Sequence, residues 1–258
     1  MTNNLADIPP YEVMKEEHVI NDIKALLTVK PTYGYRRVTA VLKARYQQQK
    51  RPTVNHKRIY RLMKKHHLLL SRYASKPIRV HEGKIITLHS NTRWCSDSFF
   101  IPCDNGERVQ VAFSLDTCDR EAMRYVASTR GIDGEMIRDL MTETMHYRFG
   151  QVDALPHKVQ WLSDNGPCYV ARKTVLFGRS LGLDICTTRP YSPESNGMAE
   201  AFVKTFKRDY VWLGDLSSAE AVFHQLPQWF EAYNSQAPHK GLKMLSPRQY
   251  MAQQKLAV

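Results

Sequence analysis

The sequence predicts an α/β protein: a mixed five-stranded sheet flanked by helices, preceded by a small all-α unit. Three observations carry that prediction. Apolar residues recur at helical spacing as far as about residue 67, then alternate at strand spacing from Arg93. Segments after Arg93 read in the order βββαβαβα. The formal net charge of +12 lies wholly in residues 1–90, which hold 18 Lys and Arg against 6 Asp and Glu; residues 91–258 hold 19 of each. A chain of 258 residues with 43% hydrophobic content can bury one large core and a smaller one beside it.

The first helix is expected over 17–29, with Val19, Ile20, Ile23, Leu26 and Leu27 on one stripe. Pro31-Thr-Tyr33-Gly34 ends it. A second is expected over 35–48 (Val38, Val41, Leu42, Tyr46), and a third over 56–67, capped from Thr53-Val-Asn55. The third has a stripe of Ile59, Leu62 and Met63 and is otherwise covered by Lys57, Arg58, Arg61, Lys64 and Lys65. Short helices joined by tight turns, the last strongly basic, resemble a helix-turn-helix unit. A plain three-helix bundle with a solvated basic face is the alternative. The expected domains are a basic helical one (1–70), a linker (71–90) and a core with a C-terminal helical extension (91–258).

Strands are expected over 94–101 and 108–115, joined by Asp104-Asn105-Gly106. A type I turn with Gly106 in the left-handed region puts Ile101 opposite Val109, Phe99 opposite Val111 and Asp97 opposite Phe113, apolar on apolar. A third strand (123–129), a helix (133–147), a strand ending at Asp164, a helix (170–181) and a strand (183–188) follow. Then come a loop over 189–195 and helices over 196–213 and 217–235. That order matches a ribonuclease-H-like sheet.

Three acids stand out. Asp97 lies in an apolar strand, on a face shared with Phe99 and Ile101, where an unpaired carboxylate is costly unless it binds something. Asp164 ends a dense apolar strand, at the kind of edge where α/β sheets gather ligands. Its Asp-Asn-Gly could be simple turn chemistry, but the same tripeptide at 104–106 joins two alternating strands, and this one leads into a helix. Glu200 begins a helix whose same face carries Lys204, Lys207 and Arg208, a track suited to a phosphate backbone. An acid at a strand centre, one at a strand end and one on a helix can converge on divalent metal for phosphoryl transfer. Asp116 is a rival that the register places three residues along and on the opposite face. Glu194 is another, on a loop that is a less rigid platform.

The residues also resemble a known family. Thr32-Tyr-Gly-Tyr-Arg36-Arg37-Val38, Val54-Asn-His-Lys-Arg-Ile-Tyr-Arg-Leu-Met63, Arg93-Trp-Cys-Ser-Asp97, Cys103-Asp-Asn-Gly-Glu107 and Trp161-Leu-Ser-Asp-Asn-Gly166 carry it through the first two thirds. Ser192-Pro-Glu-Ser-Asn-Gly-Met-Ala-Glu200, Phe202-Val-Lys-Thr-Phe-Lys-Arg-Asp-Tyr210, Tyr233-Asn234, Pro238-His239 and Leu245-Ser-Pro-Arg-Gln-Tyr250 continue it. The chain resembles the DDE transposases and retroviral-type integrases, and more closely the OrfB proteins of the third insertion-sequence family, in the subgroup typified by insertion sequence two.

The resemblance implies that Asp97, Asp164 and Glu200 are the catalytic and metal-holding acids. It implies Mg²⁺ as cofactor (two ions, with Mn²⁺ as a substitute) in DNA cleavage and strand transfer that moves an insertion sequence. The partners it implies are double-stranded DNA, as transposon ends and as target, further copies of the chain on that DNA, and an upstream OrfA-type segment in fusion or in trans. Arg36, Arg37, Lys57, Arg58, Arg61, Lys64, Lys65, Lys204, Lys207 and Arg208 are the expected DNA contacts. A nuclease on the same fold, or a non-catalytic DNA-binding regulator, would share much of this pattern.

Some classes are set aside. No apolar run reaches the ~20 residues of a membrane span. The first residues lack a basic and apolar leader, and the five cysteines show no CxxC pair, so a reducing cytosol is the expected setting; the resemblance implies a bacterial cytoplasm with nucleoid association. No cysteine precedes Cys95, so the N-terminal zinc site of retroviral integrases is not expected. No sustained heptads mark a coiled coil.

Overall fold

The computed structural model describes residues 16–71, 87–188 and 196–255. Most of the expected linker, and the loop with Glu194, lie outside the described residues. Two compact units are present: residues 16–71 with 238–245, and the remaining described residues.

The first unit contains α1 (Glu16–Val29), α2 (Tyr35–Gln48) and α3 (His56–Lys65). The predicted stripes meet in one core of Val19, Ile23, Val38, Leu42, Tyr46, Ile59 and Met63, each fully buried, while Leu27 and Val41 pack at its margin. Each such side chain adds about 1.5–3 kcal/mol of burial. Asn55 caps α3 by accepting the Arg58 N–H at 2.9 Å. Tyr46 Oη donates to Asp22 Oδ2 at 2.7 Å and so joins α2 to α1. Residues 238–245 belong to this unit and form a small hairpin closed by a His239–Leu245 bridge.

The second unit holds the sheet: β1 (Arg93–Pro102), β2 (Arg108–Asp116), β3 (Ala122–Ser128), β4 (Val159–Ser163) and β5 (Leu183–Thr187), in the order β3-β2-β1-β4-β5. The first three strands are antiparallel; β4 and β5 run parallel to β1. The β1–β2 register is the predicted one, with Asp97 opposite Phe113 and Phe99 opposite Val111. Gly106 closes the turn at φ +88°.

Helices cover both faces. One face bears Cys95, Phe99, Ile101, Val111 and Phe113 against α7 (Gly197–Asp209) and α8 (Ala219–Gln236). The other bears Trp94, Ala112, Val159 and Trp161 against α4 (Gly134–Phe149) and α5 (Pro167–Val170). This is the expected ribonuclease-H-like arrangement.

Three helices differ from expectation. The helix expected over 170–181 is two, α5 and α6 (Arg172–Ser180), because Ala171 between them is extended (ψ 132°). The one expected over 196–213 stops at Asp209, since Tyr210 leaves the helical region, and a 3₁₀ turn spans Val211–Leu213. A further helix, α9 (Pro247–Lys255), follows Ser246, whose Oγ accepts the Gln249 N–H while its own N–H donates to Gln249 Oε1. The signal for it was present: Ser246-Pro-Arg-Gln249 is a capping box with proline at the first helical position.

Asp116 is fully buried on the Trp94 face, as its register required. It belongs to a structural ion cluster with Asp119, Glu121 and Arg148. The Arg148 Nη2 lies 3.0 Å from Asp119, 3.3 Å from Glu121 and 3.8 Å from Asp116.

Candidate active site

Asp97 sits mid-strand on β1, half-buried, on the face that packs against α7. Two contacts hold α7 there: the Phe99 ring lies 5.8 Å from Phe206, and Phe113 lies 4.3 Å from Phe202. With Ala199, Phe202 and Phe206 turned into the core, the helical period brings Glu200 out to the surface in the first turn. Asn196 precedes α7 and its Nδ2 donates to Ser96 O at 3.5 Å, beside Asp97.

Asp164 follows β4. The parallel register pairs Cys95 with Leu162. Asp164 leaves the end of β4 close enough to Asp97 for its charge to raise the Asp97 pKa. Asp164 Oδ1 accepts the Gly166 N–H at 2.9 Å, and Asn165 Nδ2 donates to Thr188 O at 3.0 Å, fixing the turn against the end of β5. A Cβ at position 166 would meet Asp164 Oδ1 at 2.9 Å, so a side chain there would displace that carboxylate.

The electrostatics tie the three acids together. Asp97 has its pKa raised to about 6, first by burial and then by the charges of Asp164 and Glu200, against the Ser98 N–H that donates to its Oδ1 at 2.7 Å. Among the described residues no Lys or Arg pairs with any of the three. Three oxygen-donor carboxylates without a cation are the donor set a hard divalent ion takes. They stand within range of one another's charge. No three His, Cys, Asp or Glu side chains among the described residues are close enough, as they stand, to share one ion. The fit is therefore one of donor chemistry and position.

The expected DNA contacts fall into two groups. Arg36, Lys57, Arg61, Lys64 and Lys204 are exposed. Others have neighbours of their own: Arg37 lies over the Tyr33 ring at 3.7 Å, Lys65 bridges to Glu16 at 2.8 Å, and Arg208 to the buried Asp209 at 2.7 Å. Arg58 is half-buried at the start of α3. Lys207 places its amine 5.5 Å from the Phe99 ring centroid, and burial lowers its pKa.

Two supporting groups were not read from the sequence. Ser96 Oγ and Tyr169 Oη share a buried hydrogen bond of 3.0 Å that ties β1 to α5 beneath the two aspartates. The polar motif residue Asn234 is structural: it donates from Nδ2 to Ala122 O at 2.8 Å and accepts the Ala122 N–H at 2.9 Å, binding α8 to β3.

A ribonuclease-H-like sheet with an acid at mid-strand, one after the adjoining parallel strand and one on the covering helix is the core of a polynucleotidyl transferase. Comparison with known proteins agrees. An integrase core domain family matches residues 88–193, a second integrase core domain family matches 181–247, and an HTH-like domain family matches 14–77. Over 243 residues the chain is 43% identical to the transposase InsD for insertion element IS2A/D/F/H/I/K of Escherichia coli, covering 93% of this chain and 78% of the relative. The transposase InsD for insertion element IS2-9 of Escherichia coli strain K12 is also 43% identical, over 93% of this chain and 76% of its own length. Among solved structures, a chain of the simian T-cell lymphotropic virus intasome in complex with PP2A regulatory subunit B56 gamma shares the fold, with a TM-score of 0.53 at 17% identity, covering 89% of this chain and 73% of that one. The protein belongs to the insertion-sequence transposases of the OrfB type, the family of InsD from IS2. No helix among the described residues is long and apolar enough to cross a membrane.

Proposed function

We propose that Asp97, Asp164 and Glu200 are the catalytic acids of a Mg²⁺-dependent transposase that cleaves and joins double-stranded DNA at transposon ends and target. One observation carries the assignment: three carboxylates share a face and a field with no cation among them, and one is held near pKa 6 by burial and the other two. They would hold two Mg²⁺ ions, with Mn²⁺ able to substitute. Bound there, the metal supplies the charge that activates an attacking oxygen and stabilises the leaving one.

The chain's own residues do the rest. β1 and the Ser98 N–H fix Asp97; the Gly166 N–H fixes Asp164; the packing of Phe202 and Phe206 fixes Glu200. The reaction is in-line displacement at a phosphodiester, with water attacking in nicking and a 3′-hydroxyl in strand transfer. It needs no covalent protein nucleophile.

Lys204 and Lys207 lie along the same helix as Glu200 and suit the phosphates that flank the reacting one. The basic helical unit, through Arg36, Lys57, Arg58, Arg61 and Lys64, suits a duplex phosphate backbone of its own. Pairing two DNA ends requires more than one copy of the chain, and an upstream OrfA-type segment, in fusion or in trans, is the proposed source of end selectivity.

The test uses labelled element ends with Mg²⁺. Asp97→Asn, Asp164→Asn and Glu200→Gln keep side-chain shape and remove charge. Each is expected to cut nicking and strand transfer on the order of 10³-fold, several kcal/mol of lost transition-state stabilisation, with DNA binding retained. Full cleavage by any one variant removes that residue from the site.

A further inference from the structure

The first unit carries an open groove of about 570 Å³ between the first turn of α2 and the first half of α3, lined by Tyr35, Asn55, His56, Lys57, Tyr60 and Arg61. That volume is in the range of small-ligand sites, roughly 300–1,000 Å³. A helix-turn-helix unit reads paired DNA with a helix that protrudes into the major groove. A concavity suits the reverse case, in which part of the nucleic acid protrudes into the protein.

The lining is specific in character. Tyr35 and Tyr60 meet edge to face, 5.2 Å between centroids at 69°, and both rings are half-exposed. Arg36 Nε donates to Tyr35 Oη at 3.0 Å and braces that ring. Lys57, Tyr60 and Arg61 fall at i, i+3 and i+4, so both cations flank the Tyr60 ring on one face of α3. Neither cation has an acidic partner among the described residues, and the described acids of this unit, Glu16, Glu17 and Asp22, all lie on α1. The side-chain Oδ1 of Asn55 is already used to cap α3. Aromatic faces bracketed by unpaired cations, with no acid in the lining, fit a planar base attached to a phosphate.

We infer that this groove captures an unstacked DNA base, with Tyr35 and Tyr60 as the stacking platform and Lys57 and Arg61 on the adjoining phosphates. The inference rests on the proposal that the helical unit grips DNA, and it adds a preference for distorted or single-stranded positions over fully paired ones. Such positions arise wherever a strand is nicked or frayed.

The experiment uses the full chain and a short duplex with one extrahelical 2-aminopurine, compared with the same duplex fully paired. Stacking on a tyrosine quenches 2-aminopurine. The wild-type protein is expected to bind the bulged duplex about tenfold more tightly than the paired one and to quench the probe, a readout that needs no variant. Tyr60→Phe keeps both effects, because stacking does not need the hydroxyl. Tyr60→Ala loses the preference and the quenching, with an unchanged circular dichroism spectrum as the folding control. Arg61→Gln, a change at an exposed site, reduces the preference and makes it less salt-dependent. Equal affinity for bulged and paired DNA, or an unquenched probe, overturns the base pocket while leaving the DNA grip in place. Binding to neither DNA overturns both.

Discussion

Two sets of three carboxylates lie in and around the sheet, and the fold treats them in opposite ways. Asp116, Asp119 and Glu121 are at most 1% exposed and surround Arg148, with Arg248 reaching Glu121 from α9 at 3.4 Å. Asp97, Asp164 and Glu200 are more accessible and have no such partner among the described residues. Burial alone would have pointed to the first set. Charge compensation separates them: a buried acid with its own arginine is part of the scaffold, and acids that repel one another without a cation are, on the proposal above, the metal-holding set. Asp97 and Asp116 both have raised pKa values with burial as the first cause, so a raised pKa does not tell the sets apart. The next causes do. For Asp116 the Asp119 charge is opposed by Arg148; for Asp97 the neighbouring charges are carboxylates only.

The largest expected effect comes from breaking the compensated set. Arg148→Met leaves three buried carboxylates without their shared cation and is expected to cost about 3–5 kcal/mol at pH 7. The loss should shrink as pH falls and protons replace the arginine. Chemical denaturation at pH 7 and pH 5 measures it, and a cost below about 1 kcal/mol would show that Arg148 is not what makes that cluster tolerable. Asp97→Asn is the contrast: it relieves repulsion, so stability should hold or rise while activity disappears.

A smaller effect tests the geometry of the uncompensated set. Gly166 has φ −59°, open to any residue, so Gly166→Ala should cost little stability. Its added methyl would stand 2.9 Å from Asp164 Oδ1 and must push that carboxylate away. About a tenfold fall in kcat, equivalent to about 1.4 kcal/mol, is expected with an unfolding free energy within about 0.5 kcal/mol of wild type. Wild-type turnover in this variant would mean that the position of Asp164 is not critical.

Much of this contrast was legible in the sequence. The Asp104-Asn105-Gly106 turn fixes the β1–β2 register, and that register alone puts Asp97 and Asp116 on opposite faces. The apolar stripes of α1 to α3 were equally clear, since each buries one face at helical period. What could not be read was pairing over distance. Nothing local says that Arg148, at the end of α4, reaches back to residues 116–121. The break at Ala171 was hidden as well, because a single extended residue between two helical runs leaves the apolar period almost intact. The groove of the helical unit combines two helix starts twenty-one residues apart in sequence, so neither Tyr35 nor Tyr60 announces it alone.

The central claim is that the uncompensated acids take the metal, and its most direct test is the Mg²⁺-induced shift of Tm in wild type and Asp97→Asn at two pH values. In the metal-free fold the pKa of Asp97 is raised, so the folded chain holds a proton that the unfolded chain has released. Stability on that account is full below the ordinary carboxylate range and is lost as pH rises through about 6. Mg²⁺ competes with that same proton, so its binding strengthens over the same window. At pH 7.5 and a Mg²⁺ concentration about ten times its Kd, the wild type should gain about 1.4 kcal/mol of stability, seen as a rise in Tm. At pH 5 the gain should be largely lost, and in Asp97→Asn it should be absent at both. An equal Mg²⁺ shift in wild type and Asp97→Asn would contradict the account.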